Sequence, residues 1–493
     1  MSMFRLQSWS EESPDRKKTG KEMNLHTLDM MDLGGIHDHI MSGFARYSTD
    51  KKWHVPHFEK MLYDQAQLAI AYSTAYSITK QERYKAVVED ILLYVTRDMT
   101  HVSGGFYAAE DADSKPTADS EEKKEGAFCV WEWDEIQRLL SKEVGGVSLA
   151  SVVANEFNMK ETGNVDPRGD PHGELRNKNV LTKIPKNEPL ISAQADREAL
   201  EEAKKILFQK RLTRPRPGLD IKILTSWNAL MISAFAKSGT VFQNEHYVAT
   251  AVKAGNFIKN VLWNPETKRL LRSVYGGNEK LDNLETPIEG FVDDYVFTVQ
   301  AFLDLYTATL EESWLSAALD VQTALDELFL DRGDGGYFTS KEGDPEIVLR
   351  LKDDQDGAEP SSNSVAAMNL FRLGRILDSA QYTEEGEKIL KLYRTRLEQL
   401  PNALPAMVEA ALFHHQREPC VVITGDLTDH PLLRHLHTSH FPSHTILAPG
   451  PLLKSSRALP ADLLPVQGAI LLHHDNGLSP LATSVEELQK LLE

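Results

Sequence analysis

Cysteine is nearly absent from this sequence. Cys129 and Cys420 are the two thiols among 493 residues, they lie far apart, and neither sits in a Cys-x-x-Cys pair. A disulfide framework, a zinc knuckle and a thioredoxin-type redox pair are thereby excluded, and two buried thiols are expected instead. Positive charge is also in deficit: 54 Lys and Arg stand against 73 Asp and Glu, a net charge of −19 at pH 7. Such a balance argues against nucleic acid or an anionic membrane as a partner. Long apolar runs are missing too. The most apolar helix-like stretch, Leu68 to Ile78, is interrupted by Tyr, Ser and Thr and falls short of the roughly 18 apolar residues of a membrane span. The first twenty residues lack the apolar core of about 7–15 residues that a secretory signal needs, so a soluble, cytoplasmic protein is expected.

Metal signatures are weak. Glu110-Asp111-Ala112-Asp113 is rich in oxygen ligands but lacks the central Gly and the final Glu of a calcium loop. His430, His435, His437, His440 and His444, with His414-His415 and His473-His474, follow mixed intervals without thiols, as a surface loop does. Neither a metal nor a cofactor is expected.

What is present is an ordinary globular composition, 41% hydrophobic and 26% charged, patterned as paired helices. Apolar residues at helical spacing predict Lys60–Thr79 with Glu82–Arg97, Thr225–Lys237 with Glu245–Val261, Glu289–Thr309 with Ser313–Phe329, and Ser361–Leu377 with Glu384–Leu400. Short polar or Gly-containing turns join each pair. A looser fifth pair is read from Trp131–Leu140 and Ser192–Gln209, and Met23–Leu33 reads as the second half of another. Between pairs lie Gly34-Gly35, Gly104-Gly105-Phe106-Tyr107 and Gly335-Gly336-Tyr337-Phe338, where glycine supplies a turn and the aromatics start an extended segment. A recurring hairpin with unequal insertions favours a ring of hairpins over an open solenoid. After Arg417, Cys420-Val421-Val422-Ile423-Thr424 and Gly468-Ala469-Ile470-Leu471-Leu472 read as buried strands. The expected organisation is a disordered segment over 1–20, a helical toroid over 21–416 and a small α/β unit over 417–493. No Gly-x-Gly-x-x-Gly follows the strand beginning at Cys420, so a dinucleotide fingerprint is excluded.

Three strings carry a specific resemblance: Arg46-Tyr47-Ser48-Thr49-Asp50 with Trp53-His54-Val55-Pro56-His57-Phe58-Glu59-Lys60-Met61-Leu62-Tyr63-Asp64, then 104–114, then 351–361. From about Met23 onward the chain resembles the spermatogenesis-associated protein 20 family. The resemblance implies a thioredoxin-like N-terminal domain followed by an (α/α)6 six-hairpin toroid similar to N-acylglucosamine 2-epimerases and to glycosidases of that fold. It also implies an association with sperm formation or fertility, which is not a chemistry. Three departures stand out. The thioredoxin-like domain and the first toroid helix have no counterpart in the sequence, giving a mainly α toroid incomplete at its N-terminus. Met41-Ser42-Gly43-Phe44 replaces the family's glycine-rich string, and Leu471-Leu472-His473-His474-Asp475 stands where relatives carry cysteine.

The residues themselves point to a sugar-like ligand. First helices of four pairs open on polar or aromatic groups, so in a ring their N-terminal ends converge on one mouth, where unpaired N–H groups and the positive dipole end face a ligand. Carboxylates bind hydroxyls there while flat apolar faces cover the sugar ring. The catalytic candidates are His57, Glu59, Asp64, Glu110, Asp111, Asp293 and Asp294. Binding candidates are Trp53, Tyr63, Phe106, Tyr107, Asp113, Trp227, Asn228, Glu289, Tyr295, Asp353, Asp354, Glu359, Ser361 and Asn363. Two carboxyls suit glycoside hydrolysis, and His57, with His54 or His37 as the second histidine, suits the proton abstraction of an epimerase or isomerase. Bland readings compete: Glu289, Glu359 and Ser361 as helix caps, Asp353 and Asp354 as a solvated turn, His57 as a core residue. A non-catalytic module that holds a glycan or a protein partner fits the same residues.

Overall fold

The computed structural model describes residues 14–170, 173–184, 194–277, 280–343, 345, 347–416, 420–424, 431–438, 445–447, 451–452, 469–474, 477–478, 480 and 482–492. The molecule is a mainly helical α/α toroid. Its helices are α1 (Pro14–Leu33), α2 (Leu62–Thr79), α3 (Glu82–Asp98), α4 (Trp133–Leu139), α5 (Leu149–Glu156), α6 (Gln194–Leu212), α7 (Thr225–Phe242) and α8 (Glu245–Phe257). They continue as α9 (Val292–Thr309), α10 (Glu312–Phe329), α11 (Ser362–Leu377), α12 (Ala380–Leu392), α13 (Arg394–Gln399), α14 (Pro405–His415), α15 (Pro431–Thr438) and α16 (Val485–Leu492). An inner row packs side by side in the order α2, α7, α9, α11, α14, and α3, α8, α10 and α12 lie outside as the second members of hairpins. The inner helices are buried nearly all round and the outer ones on one stripe, as a two-layer helical ring demands.

The four hairpins turn in one way. Each inner helix ends on a left-handed residue, Lys80, Gln243, Leu310 or Asp378, with φ of 55°, 54°, 59° and 55°. One extended residue follows, and the outer helix begins. Helix α7 passes the expected end at Lys237 because Gly239 is a point of close approach: a Cβ there would lie 2.6 Å from Val248 Cγ2 of α8. Helix α9 starts three residues after the expected Glu289, whose backbone is drawn into a bridge with Leu271. The expected helix over Glu384–Leu400 starts earlier, at Ala380, and is divided at Tyr393.

Connections between hairpins repeat a second device. After α1, α3 and α10 the chain runs through a glycine and an aromatic residue, and a side-chain amide near the start of a following inner helix grips that aromatic's backbone on both sides. Phe44 N donates to Gln65 Oε1 (2.9 Å) and Gln65 Nε2 donates to Phe44 O (2.6 Å). Phe106 N donates to Asn228 Oδ1 (2.7 Å) and Asn228 Nδ2 to Phe106 O (3.0 Å). Tyr337 N donates to Asn363 Oδ1 (2.8 Å) and Asn363 Nδ2 to Tyr337 O (2.9 Å). All three amides are buried. The glycine is required by the grip: at Gly336 (φ 73°) a Cβ would stand 2.9 Å from Asn363 Oδ1, and at Gly43 (φ 75°) 3.1 Å from Gln65 Oε1.

Two expectations change. The looser fifth pair is a lobe of three helices, α4 to α6, with its own core of Trp131, Ile136, Leu149, Val153, Phe157, Ala203 and Leu207. Its middle helix is missed because Leu149–Glu156 is short. Helix α1 begins at Pro14, inside the segment expected to lack structure, and is tied down by Tyr72 Oη to Leu28 O (2.7 Å) and by Arg83 to Asp29 (3.0 Å). Residues 1–13 lie outside the described part. The C-terminal unit is a sheet in the order Thr445–Leu447, Cys420–Thr424, Ala469–His474, Gly477–Leu478, with the first pair parallel and the others antiparallel. It sits at the C-terminal ends of the inner helices: Leu310 packs into its core, and Lys80 donates to Thr438 O.

Replacing Asn363 by Leu leaves a buried N–H and a buried C=O unpaired, and is expected to destabilise by about 2–4 kcal/mol. The exposed Asp354→Asn should stay within about 0.5 kcal/mol. Guanidinium midpoints of the two variants check this.

Candidate functional site

The N-terminal ends of α2, α7, α9 and α11 meet. From α2, the Tyr63 ring lies edge-on to Trp227 of α7, with centroids 4.9 Å apart at 65°. The Trp227 indole N–H donates to Glu359 Oε1 (2.8 Å), just ahead of α11. Gln67 Nε2 reaches Ala358 O (2.8 Å) and ties α2 to the same loop. Between α7 and α9, Asp294 is wholly buried and accepts from Ser226 N (3.0 Å) and Phe291 N (2.9 Å), satisfying first-turn N–H groups of two helices at once. Arg272 joins it, donating to Asp293 Oδ2 (2.5 Å) and Asp294 Oδ1 (3.0 Å), with its guanidinium 5.6 Å from the centre of the Phe291 ring.

Asp64 is the chemically distinctive group. Its Oδ2 is buried and has no hydrogen-bond partner. Burial pushes its carboxyl up to about 7; Arg46 opposes this, while Glu359 and Glu59 reinforce it. Arg46 also hydrogen-bonds Tyr63 and reaches Glu59 Oε2 (3.3 Å). Glu359 is raised by burial and by Asp293, but the Trp227 N–H pulls it down. Asp353 is raised by burial, Asp293 and Asp354. Burial and Asp293 raise Asp294, against the pull of Arg272.

Tyr63, Asp64, Trp227, Asp293, Asp294, Asp353 and Glu359 therefore share one electrostatic neighbourhood, with Glu59 attached through Arg46. His57 stands beside it. Its Nδ1 is 2.7 Å from Glu125 Oε1, its Nε2 is 3.5 Å from Glu59 Oε2, and Tyr47 stacks on the ring at 5.1 Å. Glu125 fixes the ring through Nδ1, while Nε2 has only the longer contact to Glu59. His37, considered as its partner, is clasped by Asp32 and Asp90, and His54 lies in the turn made by Asp50.

Other candidates serve the fold. Asn228, Asn363 and Phe106 belong to the amide grips, and Tyr295 is fully buried with its hydroxyl accepting from Leu270 N (3.0 Å). Glu110 is buried and accepts from Tyr94 Oη (3.0 Å). Ser361 caps α11. Trp53 adopts a left-handed turn (φ 60°) and its carbonyl accepts from Gly35 N (2.7 Å). Asp111 pairs with Lys123 (3.3 Å) next to Asp113, Glu289 with Lys341 (2.7 Å) and Asp354 with Arg396 (3.5 Å), all at the surface. Tyr107 packs against His101. Sequence reasoning missed Arg46, Arg272 and Phe291.

Among the described residues, no group of three or more His, Cys, Asp or Glu side chains is arranged to hold a metal ion, and no helix is long and apolar enough to cross a membrane.

Fold and mouth together define the class: an α/α toroid whose inner-helix N-termini gather an acid-lined, aromatic-walled site. Curated homologues at about 41% identity over most of the chain carry the name spermatogenesis-associated protein 20. The Homo sapiens protein of that name is 42% identical over 456 residues, covering 89% of this chain and 58% of the relative. The chain thus spans about three-fifths of the length of the curated relatives it matches. No family model matches. Similar solved structures include cellobiose 2-epimerase from Bacillus thermoamylovorans B4167, 11% identical with a TM-score of 0.43 over 81% of this chain and 87% of that one. Another is a family 76 glycoside hydrolase from a bovine Bacteroides thetaiotaomicron strain, 10% identical with a TM-score of 0.47 over 84% and 65%.

The raised Asp64 carboxyl sets a pH dependence. Its folded-state value of about 7 exceeds the ordinary 3.8, so its contribution is fully present below about pH 4 and is lost as pH rises through 7. Asp64→Asn should therefore raise the melting temperature relative to wild type at pH 8 and lose that advantage near pH 4, as read by melting curves across this range.

Proposed function

We propose that the mouth binds a carbohydrate and that Asp64 acts there as the general acid of a glycosidase-type reaction. A single observation carries the reading: a buried carboxyl with one unpartnered oxygen, held up to about 7 by its surroundings, beside two aromatic rings and a second carboxylate. Hydrolysis needs one carboxyl that is protonated near neutrality and one that is ionised. Glu359 fills the second role. The Trp227 N–H favours its charged form, and that charge in turn favours the protonated form of Asp64. Trp227 and Tyr63 offer flat faces to a sugar ring, and Arg46 holds the Tyr63 hydroxyl in place.

Proton abstraction by His57, the isomerase route, is supported less well, because His57 stands beside the Asp64, Trp227 and Glu359 cluster and not within it. A module that only binds a glycan or a protein is the competing reading, and turnover separates the two.

Hydrolysis of a panel of oligosaccharides and alkyl glycosides, whose leaving groups need a proton, should fall about 10²–10⁴-fold in Asp64→Asn and in Glu359→Gln. Trp227→Ala should mainly raise KM. Saturable glycan binding without turnover in the wild type would leave a binding module, and neither binding nor turnover across the panel removes the carbohydrate reading.

A further inference from the structure

Away from the mouth, a cavity of about 30 Å³ lies where the ring meets the α4–α6 lobe, lined by His37, Asp38, His39, Lys60 and Arg211 among apolar groups that include Phe58. We propose that it is a binding site for a monatomic anion, chloride in ordinary salt, held by Arg211 and Lys60.

The charges of the lining are unequal. Asp38 is its one carboxylate, and its oxygens are fully used. Arg211 Nη1 donates to both of them (2.5 and 2.7 Å), Lys60 Nζ donates to Oδ2 (2.9 Å), and the backbone N–H groups of Ile40 and Met41 donate to Oδ1 (3.2 and 3.0 Å). Against it stand Lys60 and Arg211, whose side chains are 6% and 2% exposed. His37 adds no excess charge: burial alone would lower it, but Asp90 and Asp32, each 2.9 Å from a ring nitrogen, push it up to about 10 and balance it. Those two carboxylates hold His37 without lining the cavity. His39 is neutral, held well below its usual range by burial and by His37.

One donor in this wall has nothing to donate to. Arg211 Nη2 binds Cys129 O (2.8 Å), but the buried Arg211 Nε has no acceptor. A buried guanidinium N–H left unpaired carries a desolvation penalty that an acceptor would remove. Water can accept from it but must then place two hydrogens of its own, and the Asp38 oxygens already receive five N–H contacts. A halide accepts and needs nothing in return. The volume suits one or two water-sized particles, which excludes tetrahedral oxyanions, and the apolar remainder of the wall suits a weakly hydrated ion. Arg211 comes from α6, and Asp38 and Lys60 from the ring side, so the ion would fasten the lobe to the toroid.

Melting curves of the purified chain in sodium bromide and in sodium gluconate, at one ionic strength, test this. Bromide should give a saturable rise of about 2 °C at roughly tenfold excess over Kd. Crystals grown in bromide should show an anomalous peak beside Arg211. Arg211→Met risks losing the fold, so the informative variant is Ala45→Val, which narrows the cavity and leaves every charge in place. It should abolish the difference between the salts. Superimposable curves for the wild type, a water without an anomalous peak, or a bromide effect that survives Ala45→Val overturns the assignment.

Discussion

The two-sided grip of a side-chain amide on the backbone of a glycine-aromatic segment is the constraint on which the arrangement depends. Each grip fixes the height at which one inner helix begins relative to the strand that leads out of an earlier hairpin. Because the amide bonds both an N–H and a C=O, sliding by one residue breaks two buried hydrogen bonds together. Three such grips level the starts of α2, α7 and α11, and Asp294 levels α7 against α9 through backbone N–H groups of both. The mouth exists because the helices are held to one level there.

Its chemistry follows from that levelling. Once several first turns meet, their acidic residues are brought together with few cations: Arg272 is taken up by Asp293 and Asp294, and Arg46 is shared among Tyr63, Glu59 and Asp64. Asp64 is left with burial and like charge, the two conditions that keep a carboxyl protonated near neutrality. A helix N-terminus ordinarily favours an ionised acid, so a raised Asp64 in the first turn of α2 means that desolvation outweighs the dipole. Groups poised against their intrinsic preference are common where chemistry is done.

Much of this could be read from the chain. Four hairpins follow from helical spacing, and polar openings such as Tyr63-Asp64 and Asp293-Asp294 mark where inner helices begin. What stayed hidden is which polar residues face inward to the fold and which face the mouth. Asn228 and Asn363 look like ligand-binding amides in sequence, yet their partners are backbone groups more than twenty residues away. His57 looks like a free imidazole in sequence, where nothing shows that Glu125, 68 residues on, holds its ring through Nδ1. Long-range pairing of this kind leaves no periodicity to detect. The α4–α6 lobe was obscured for another reason: α4 and α5 are short, and its core is drawn from widely spaced segments.

The hairpin turns carry a further implication. At Lys80, Gln243, Leu310 and Asp378 the chain accepts a backbone shape that suits a residue without a Cβ, yet none of the four is glycine. The penalty is roughly 1 kcal/mol per position. The toroid thus holds an untapped reserve of robustness at Gln243 and Asp378, which face solvent far from the mouth, whereas Leu310 fills the core of the C-terminal unit and Lys80 bonds Thr438. An engineer who needs a hardier version of this scaffold can draw on it without disturbing a single group of the mouth.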